Sequence, residues 1–225
     1  MQISALTYIN LDSRTDKLQN VKSQLENCPF YTFKTSGVKI LNRDEYQLKE
    51  STIKNHNESK IKGHIGCVIA HLHALEGLIK LNNDPNHYSM IIEDDVDIHP
   101  SFWNLLSCLD TSQYIKSDLI FFDTHIRTSH YGIFDSFANY QSISRYVPAK
   151  LNTWFNQLEN KHKSYFWGTH CYCIKNSFME YAHNTLKQSP FGSIDMMYTS
   201  LFNTYHVETG LVYQNTPIYN SDIRK

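Results

Sequence analysis

The residues best suited to chemistry lie at 90–99, MIIEDDVDIH, where four carboxylates, Glu93, Asp94, Asp95 and Asp97, occupy five positions directly after three apolar residues. Like charges this close repel and raise one another's pKa, so the cluster destabilises a fold unless a cation or convergent donors answer it. On an extended backbone Glu93, Asp95 and Asp97 face one way and Asp94 the other. Two or three carboxylates then converge on one point, as a hard divalent cation such as Mg2+ or Mn2+ requires while it keeps positions open for phosphates. The bland alternative is a solvated acidic turn, and the buried strand just before the cluster argues against it. An EF-hand loop from Glu93 needs Gly at 98 and Glu at 104, where the chain has Ile98 and Asn104. An aspartyl nucleophile of the phosphatase type, Asp95-Val96-Asp97, would need a later carboxylate pair, and no two adjacent acids occur downstream.

The elements that must position these groups follow from hydrophobic periodicity. ISALTYI (3–9) predicts a buried strand, and Leu18, Val21 and Leu25 predict a helix after it, capped by Ser13 or Thr15. A second strand is expected near 30–41, and the polar run 42–62 has little to bury and is expected on the surface. From residue 65 onward Ile65, Val68, Leu72, Leu75 and Ile79 keep the 3.6 period of a helix that ends at NNDPN (82–86). YSMII (88–92) is a short strand carrying the acids at its C-terminal end, and SDLIFFDTH (117–125) repeats that design with Asp123 and His125. Residues 126–165 show no sustained period and are expected to form a loop-rich insertion with a helix around 150–160. YFWGTHCYCI (165–174) predicts a strand, NSFMEYAHNTL (176–186) and SIDMMYTSLFNTY (193–205) predict helices, and GLVYQNTPIY (210–219) a last strand. Alternating strands and helices imply an α/β sheet with ligands beyond the carboxyl ends of its strands.

At 225 residues and 41% hydrophobic composition, one domain spanning 1–225 is expected, with a nucleotide-binding half at 1–125 and a second half at 126–225. A net charge of −1 leaves no global basic field for nucleic acid. The opening MQISALTYINLD has neither the basic nor the long apolar region of a secretory signal, and no stretch is long enough for a membrane span, so a cytoplasmic protein is expected. Five scattered cysteines without a CxxC pair fit a reducing compartment; Cys171 and Cys173 are expected as small buried residues on one strand face.

INLDSRTDKL (9–18), GHIGCVIAHLHAL (63–75) and MIIEDDV (90–96), in this order and spacing, resemble glycosyltransferase family 25, the lipopolysaccharide and collagen galactosyltransferase type. WGTHCYCI (167–174) and SIDMMYTSL (193–201) are weaker echoes of it. The resemblance implies a GT-A fold, a Rossmann-like nucleotide-sugar-binding sheet with helices on both faces. It implies a UDP-sugar donor of galactose or glucose, a glycan or protein hydroxyl as acceptor, and inversion at the anomeric carbon. Mn2+ or Mg2+ would bridge the diphosphate to Glu93 and Asp95, while Asn10, Leu11, Asp12, Arg14, Gly66, His71 and Asp94 would line the donor pocket. Arg14 would meet uracil or phosphate with its planar fork, and Gly63 and Gly66 would let the backbone approach the base. His71 lies at the edge of its helix's apolar stripe, fit for the pocket or for a core hydrogen bond, and His73 projects to nearly the opposite side.

An acceptor hydroxyl must lose its proton as the new bond forms, and a carboxylate is the usual agent. Asp195 matches the later family acid and is the first choice, with Asp123 second. Trp154, Trp167, Phe166 and Tyr131 are aromatic candidates for stacking on sugar faces. Two departures stand out: His64 and Ala70 replace an acidic residue and a serine usual in this family. These leave open a nucleotide-sugar-binding module without turnover, and the acid cluster leaves open a metal-dependent phosphatase.

Overall fold

The computed structural model describes residues 1–108, 118–122, 168–202, 204–206 and 211–214. The expected insertion at 126–165, its helix, Asp123, His125 and the stacking candidates Tyr131, Trp154, Phe166 and Trp167 lie outside the described residues.

Strand β1 (Ile3–Asn10) is buried along almost its whole length, which is why its sequence is a continuous apolar run rather than an alternation. It pairs in parallel with β2 (Tyr31–Ser36) on one side and with β3 (Tyr88–Glu93) on the other. Helix α1 (Thr15–Leu25) links β1 to β2, and α2 (Glu50–Asn55) and α3 (Glu58–Lys80) link β2 to β3. Beyond the acid cluster come β4 (Val96–Ile98), α4 (Ser101–Cys108), β5 (Leu119–Phe121) and β6 (Cys171–Lys175). A 3-10 turn (Asn176–Phe178) opens α5 (Met179–Gln188), followed by α6 (Ile194–Leu201), β7 (Thr204–His206) and β8 (Val212–Gln214).

The main sheet has the order β2-β1-β3-β6-β5-β7, and β4 pairs with β8 in a separate two-stranded ribbon. Strand β6 is antiparallel to both β3 and β5, while β5 runs parallel to β7. It therefore runs against the other five. The consequence is local: the residues just before β6 lie at the carboxyl end of β3, where Cys171 stands opposite Ile92.

Side chains alternate across the sheet with period two and build two cores. On one face Met90, Ile92, Cys171 and Cys173 pack with Val21 and Leu25 of α1 and Phe102, Trp103 and Leu106 of α4. On the other, Ile91, Tyr172 and Ile174 pack with α3, with Ala182 and Leu186 of α5, and with Met197 and Tyr198 of α6. The fold is thus α/β with helices on both faces, as expected, and Cys171 and Cys173 are buried on one face as expected.

Several boundaries differ from expectation. Helix α3 begins at Glu58 rather than 65, because the Asn57 side chain caps it by accepting from the Lys60 amide at 2.9 Å and Ile61 is already buried. Part of the polar run 42–62 is therefore held down, with Lys49 N–H on the Phe191 carbonyl and Phe191 N–H on the Gln47 carbonyl. Neither Ser13 nor Thr15 caps α1; Arg14 occupies that position without a side-chain bond. The helix expected over 193–205 stops at Leu201, where extended Phe202 buries its ring edge-on to Phe178, and the chain re-enters the sheet as β7. Among the described residues no helix is long and apolar enough to cross a membrane.

Candidate functional site

Glu93 is the last residue of β3, and its amide donates to the His170 carbonyl at 2.9 Å across the β3–β6 pair. The reversed strand thereby sets Thr169 and His170 beside the acid cluster. Glu93 Oε1 accepts from Thr169 Oγ1 at 2.5 Å and lies 3.3 Å from His71 Nε2. On its other side Oε2 lies 3.6 Å from His170 Nδ1, which is itself 3.3 Å from Asp95 Oδ1. One imidazole thus bridges two carboxylates. Burial alone would raise the Glu93 carboxyl, but the charge of His170, with hydrogen bonds from His170 and His71, holds it well below the usual range. Burial alone would lower His170, and the charges of Asp95 and Glu93 carry it well above its ordinary value. The group that answers this half of the cluster is the His170 imidazole, whose proton the two carboxylates favour.

Asp94 faces elsewhere. Its carboxylate meets the Lys17 ammonium at 3.2 Å and accepts from Asn10 Nδ2 at 2.8 Å. Burial pushes it up to about 6, against the pull of Lys17 and Asn10. Asp97 parts company too: on β4 its carboxylate accepts from Gln24 Nε2 at 3.1 Å, and Gln24 Oε1 accepts from the Ile98 amide at 2.6 Å. The expected convergence of Asp97 with Glu93 and Asp95 is not found, because the chain turns at Asp94–Asp95 and strand alternation does not carry through a turn. The four carboxylates split three ways, and only Glu93 and Asp95 converge.

Of these groups Glu93 and Asp94 border a cleft of about 410 Å³; Asp95 and His170 are not among its lining residues. Leu11 and Arg14 come to it from the β1–α1 loop, Gly63, Gly66, Cys67 and His71 from α3, Val38 and Lys39 from the chain after β2, and Glu93 and Asp94 from the end of β3. The remaining sequence candidates distribute unevenly. Asn10 is buried behind the cleft, holding Asp94 and the Arg14 carbonyl. Asp12 does not line it; its exposed carboxylate pairs with Lys34, whose hydrogen bond lowers its pKa. The Arg14 guanidinium forks onto Asp16 at 3.0 and 2.7 Å. At Gly66 a Cβ would lie 2.3 Å from the Val38 carbonyl oxygen, so this glycine first serves the approach of α3 to its own chain. His71 lines the cleft, and its fully buried ring binds the Tyr172 hydroxyl through Nδ1 at 2.9 Å. Tyr172 continues to the Tyr198 hydroxyl at 2.8 Å, and exposed His73 lies outside this network.

Asp195 sits in the first turn of α6, accepting from Ser193 Oγ and from the Met196 amide. It is not among the residues lining the cleft, although its charge reaches the lining thiol of Cys67. That thiol is raised well above its ordinary value, by burial first and then by Glu93, Asp195 and Asp95. His64, on the same helix, packs at a tilt of 41° against His56 with ring centroids 4.9 Å apart and is pulled down to about 4, chiefly by burial.

Sequence reasoning missed Lys17, Thr169 and His170. Lys17 stands one and two helical turns before Val21 and Leu25 on the buried stripe of α1, which was a legible sign that a charge is taken inside. No such sign marks His170, whose place depends on the direction of β6.

Among the described residues, two groups of side chains could hold a metal ion, each with its ligand atoms within 4.8 Å of one another: Glu93, Asp95 and His170, and Cys67, His71 and Glu93. The first, two carboxylates and an imidazole, suits Mn2+ or Mg2+, which would take the place of the imidazolium proton.

The family model described as glycosyltransferase family 25 (LPS biosynthesis protein) matches residues 6–198. No curated protein matches the chain. A solved structure, a glycosyltransferase involved in the glycosylation of the major capsid of PBCV-1, aligns over 95% of this chain and 94% of its own at 10% identity. Its TM-score of 0.47 is too low to argue from.

Proposed function

Because the chain belongs to glycosyltransferase family 25, we propose that it moves galactose or glucose from a UDP-sugar to a hydroxyl of a glycan or glycoprotein, with inversion and with Mn2+ or Mg2+ at Glu93, Asp95 and His170. One observation carries this reading: three sequence blocks far apart in the chain, represented by Arg14, by Gly66 and His71, and by Glu93 and Asp94, line one cleft. A cleft beyond the carboxyl ends of parallel strands β1 and β3 also supports a GT-A nucleotide-sugar site.

The protein's own groups divide the work. Thr169 and His71 orient the Glu93 carboxylate, and Lys17 with Asn10 fixes Asp94 so that the turn keeps its shape. Arg14 offers its planar fork to a phosphate or to uracil in exchange for Asp16. Asp195 takes the proton of the acceptor hydroxyl, with Asp123 as the second candidate. Bound at Glu93, Asp95 and His170, the ion supplies Lewis-acid stabilisation of the charge that develops on the departing diphosphate.

UDP and Mn2+ together, at a hundredfold excess over Kd, should stabilise the fold by about 2.7 kcal/mol, a rise in Tm of roughly 5–10 °C for a chain of this size. Asp95→Ala should abolish that gain, and an undiminished gain removes the acid cluster from the donor site. UDP release from UDP-galactose, lost in Asp195→Asn, separates a transferase from a module that binds without turnover. Phosphate release from simple phosphomonoesters would instead mark a phosphatase.

A further inference from the structure

We propose that Cys67, His71 and Glu93 form a second metal site, one for Zn2+, on the α3 wall of the cleft. Cys67 and His71 are four residues apart on α3 and so share a helix face. The end of β3 brings Glu93 to the same point, with its Oε1 3.3 Å from His71 Nε2 and all three ligand atoms within 4.8 Å of one another. A thiolate, an imidazole nitrogen and a carboxylate oxygen make the mixed sulfur, nitrogen and oxygen set that suits Zn2+. Glu93, Asp95 and His170 offer no sulfur.

The surroundings are those of a built site. The Tyr172 hydroxyl holds His71 Nδ1 at 2.9 Å and is anchored in turn on Tyr198, so the ring is fixed with Nε2 toward Glu93. Thr169 holds Glu93 Oε1 at 2.5 Å. Partners of this kind orient metal ligands. All three ligand residues line the cleft, which leaves a fourth position to water or a ligand. Binding releases the thiol proton of Cys67 to solvent, and the ring proton that faces Glu93 at Nε2 is taken up at Nδ1, which then donates to the Tyr172 hydroxyl and leaves the Nε2 lone pair for the ion.

Glu93 belongs to both groups. Its Oε1 faces His71 and its Oε2 faces His170, so Zn2+ on the one side competes with a harder ion on the other for a single carboxylate. The site is therefore a point of inhibition by Zn2+, although Zn2+ binding itself does not depend on the transfer reaction.

Co2+ added to the metal-free wild type should give a thiolate-to-cobalt charge-transfer band at one equivalent, bleached by Zn2+. The band should survive in Asp95→Asn and vanish in Cys67→Ser. Tyr172→Phe, which leaves the three ligands in place, should weaken Zn2+ binding by about 10- to 100-fold. The proposal is overturned by absence of the band, by its persistence in Cys67→Ser, or by its loss in Asp95→Asn. None of these outcomes bears on the response to UDP.

Discussion

Asp94 and Asp95 are neighbours in the chain and are neutralised by opposite means. On one flank of the turn, Asp94 is held by a lysine buried in α1 and by the amide of Asn10. On the other, Asp95 and Glu93 share the imidazole of His170. A lysine ammonium keeps its charge across the physiological range, whereas an imidazole can give up its proton to a competing cation. The first flank is consequently a structural lock, and the second is a place where a cation can be exchanged. Four acids in five residues look alike in sequence, yet one is fixed and two are available.

The contrast can be broken at the lock first. Lys17→Met leaves the Asp94 carboxylate buried without its cation and should cost about 3–5 kcal/mol near pH 8, measured by denaturant unfolding; because burial already raises this carboxyl to about 6 and loss of the lysine raises it further, the penalty should shrink as pH falls toward 6 and the group protonates. Adding Asp94→Asn should recover part of it. A smaller loss, about 1.5–3 kcal/mol near pH 6, is expected for His170→Gln, and its pH dependence is the sharper test. The folded state retains the His170 proton above the ordinary value of 6.5, so this contribution is complete below 6.5 and lost as pH rises through the raised value. Glu93 is depressed, so its contribution is present above 4.5 and lost as pH falls through its lowered value. The gap between wild type and His170→Gln should therefore be widest between 4.5 and 6.5 and shrink toward alkaline pH. A gap independent of pH would erase the distinction between the flanks.

Gly66→Ala touches neither flank. Its Cβ would lie 2.3 Å from the Val38 carbonyl oxygen, so backbone must shift and displace the wall of the cleft, at a cost of about 3 kcal/mol, the upper end for overpacking. The gain in Tm from UDP and Mn2+ should fall in this variant, while the pH profile of stability stays that of the wild type.

Much of the frame was legible in the residues. The buried strands, the apolar stripes of α1 and α3, and an acid cluster at the end of β3 follow from periodicity, because burial on a helix stripe or a covered strand leaves a repeating mark. The pairing of Glu93 with Asp95 was legible as well. Their separation from Asp97 was not, since a turn at Asp94–Asp95 resets which way each side chain points. The start of α3 at Glu58 depended on a cap at Asn57 and on contacts that the 42–62 segment makes with Phe191, which local composition does not reveal.

Residue order by itself determined an α/β chain with acids at a strand tip and enough local pattern to mark its family. Only the tertiary structure decided what those acids meet. His170 is 75 residues beyond Asp95 and reaches it because β6, alone among the described strands of its sheet, runs backward. Strand direction is set by how the whole sheet closes its two cores, a property of the assembled layers and of no single segment.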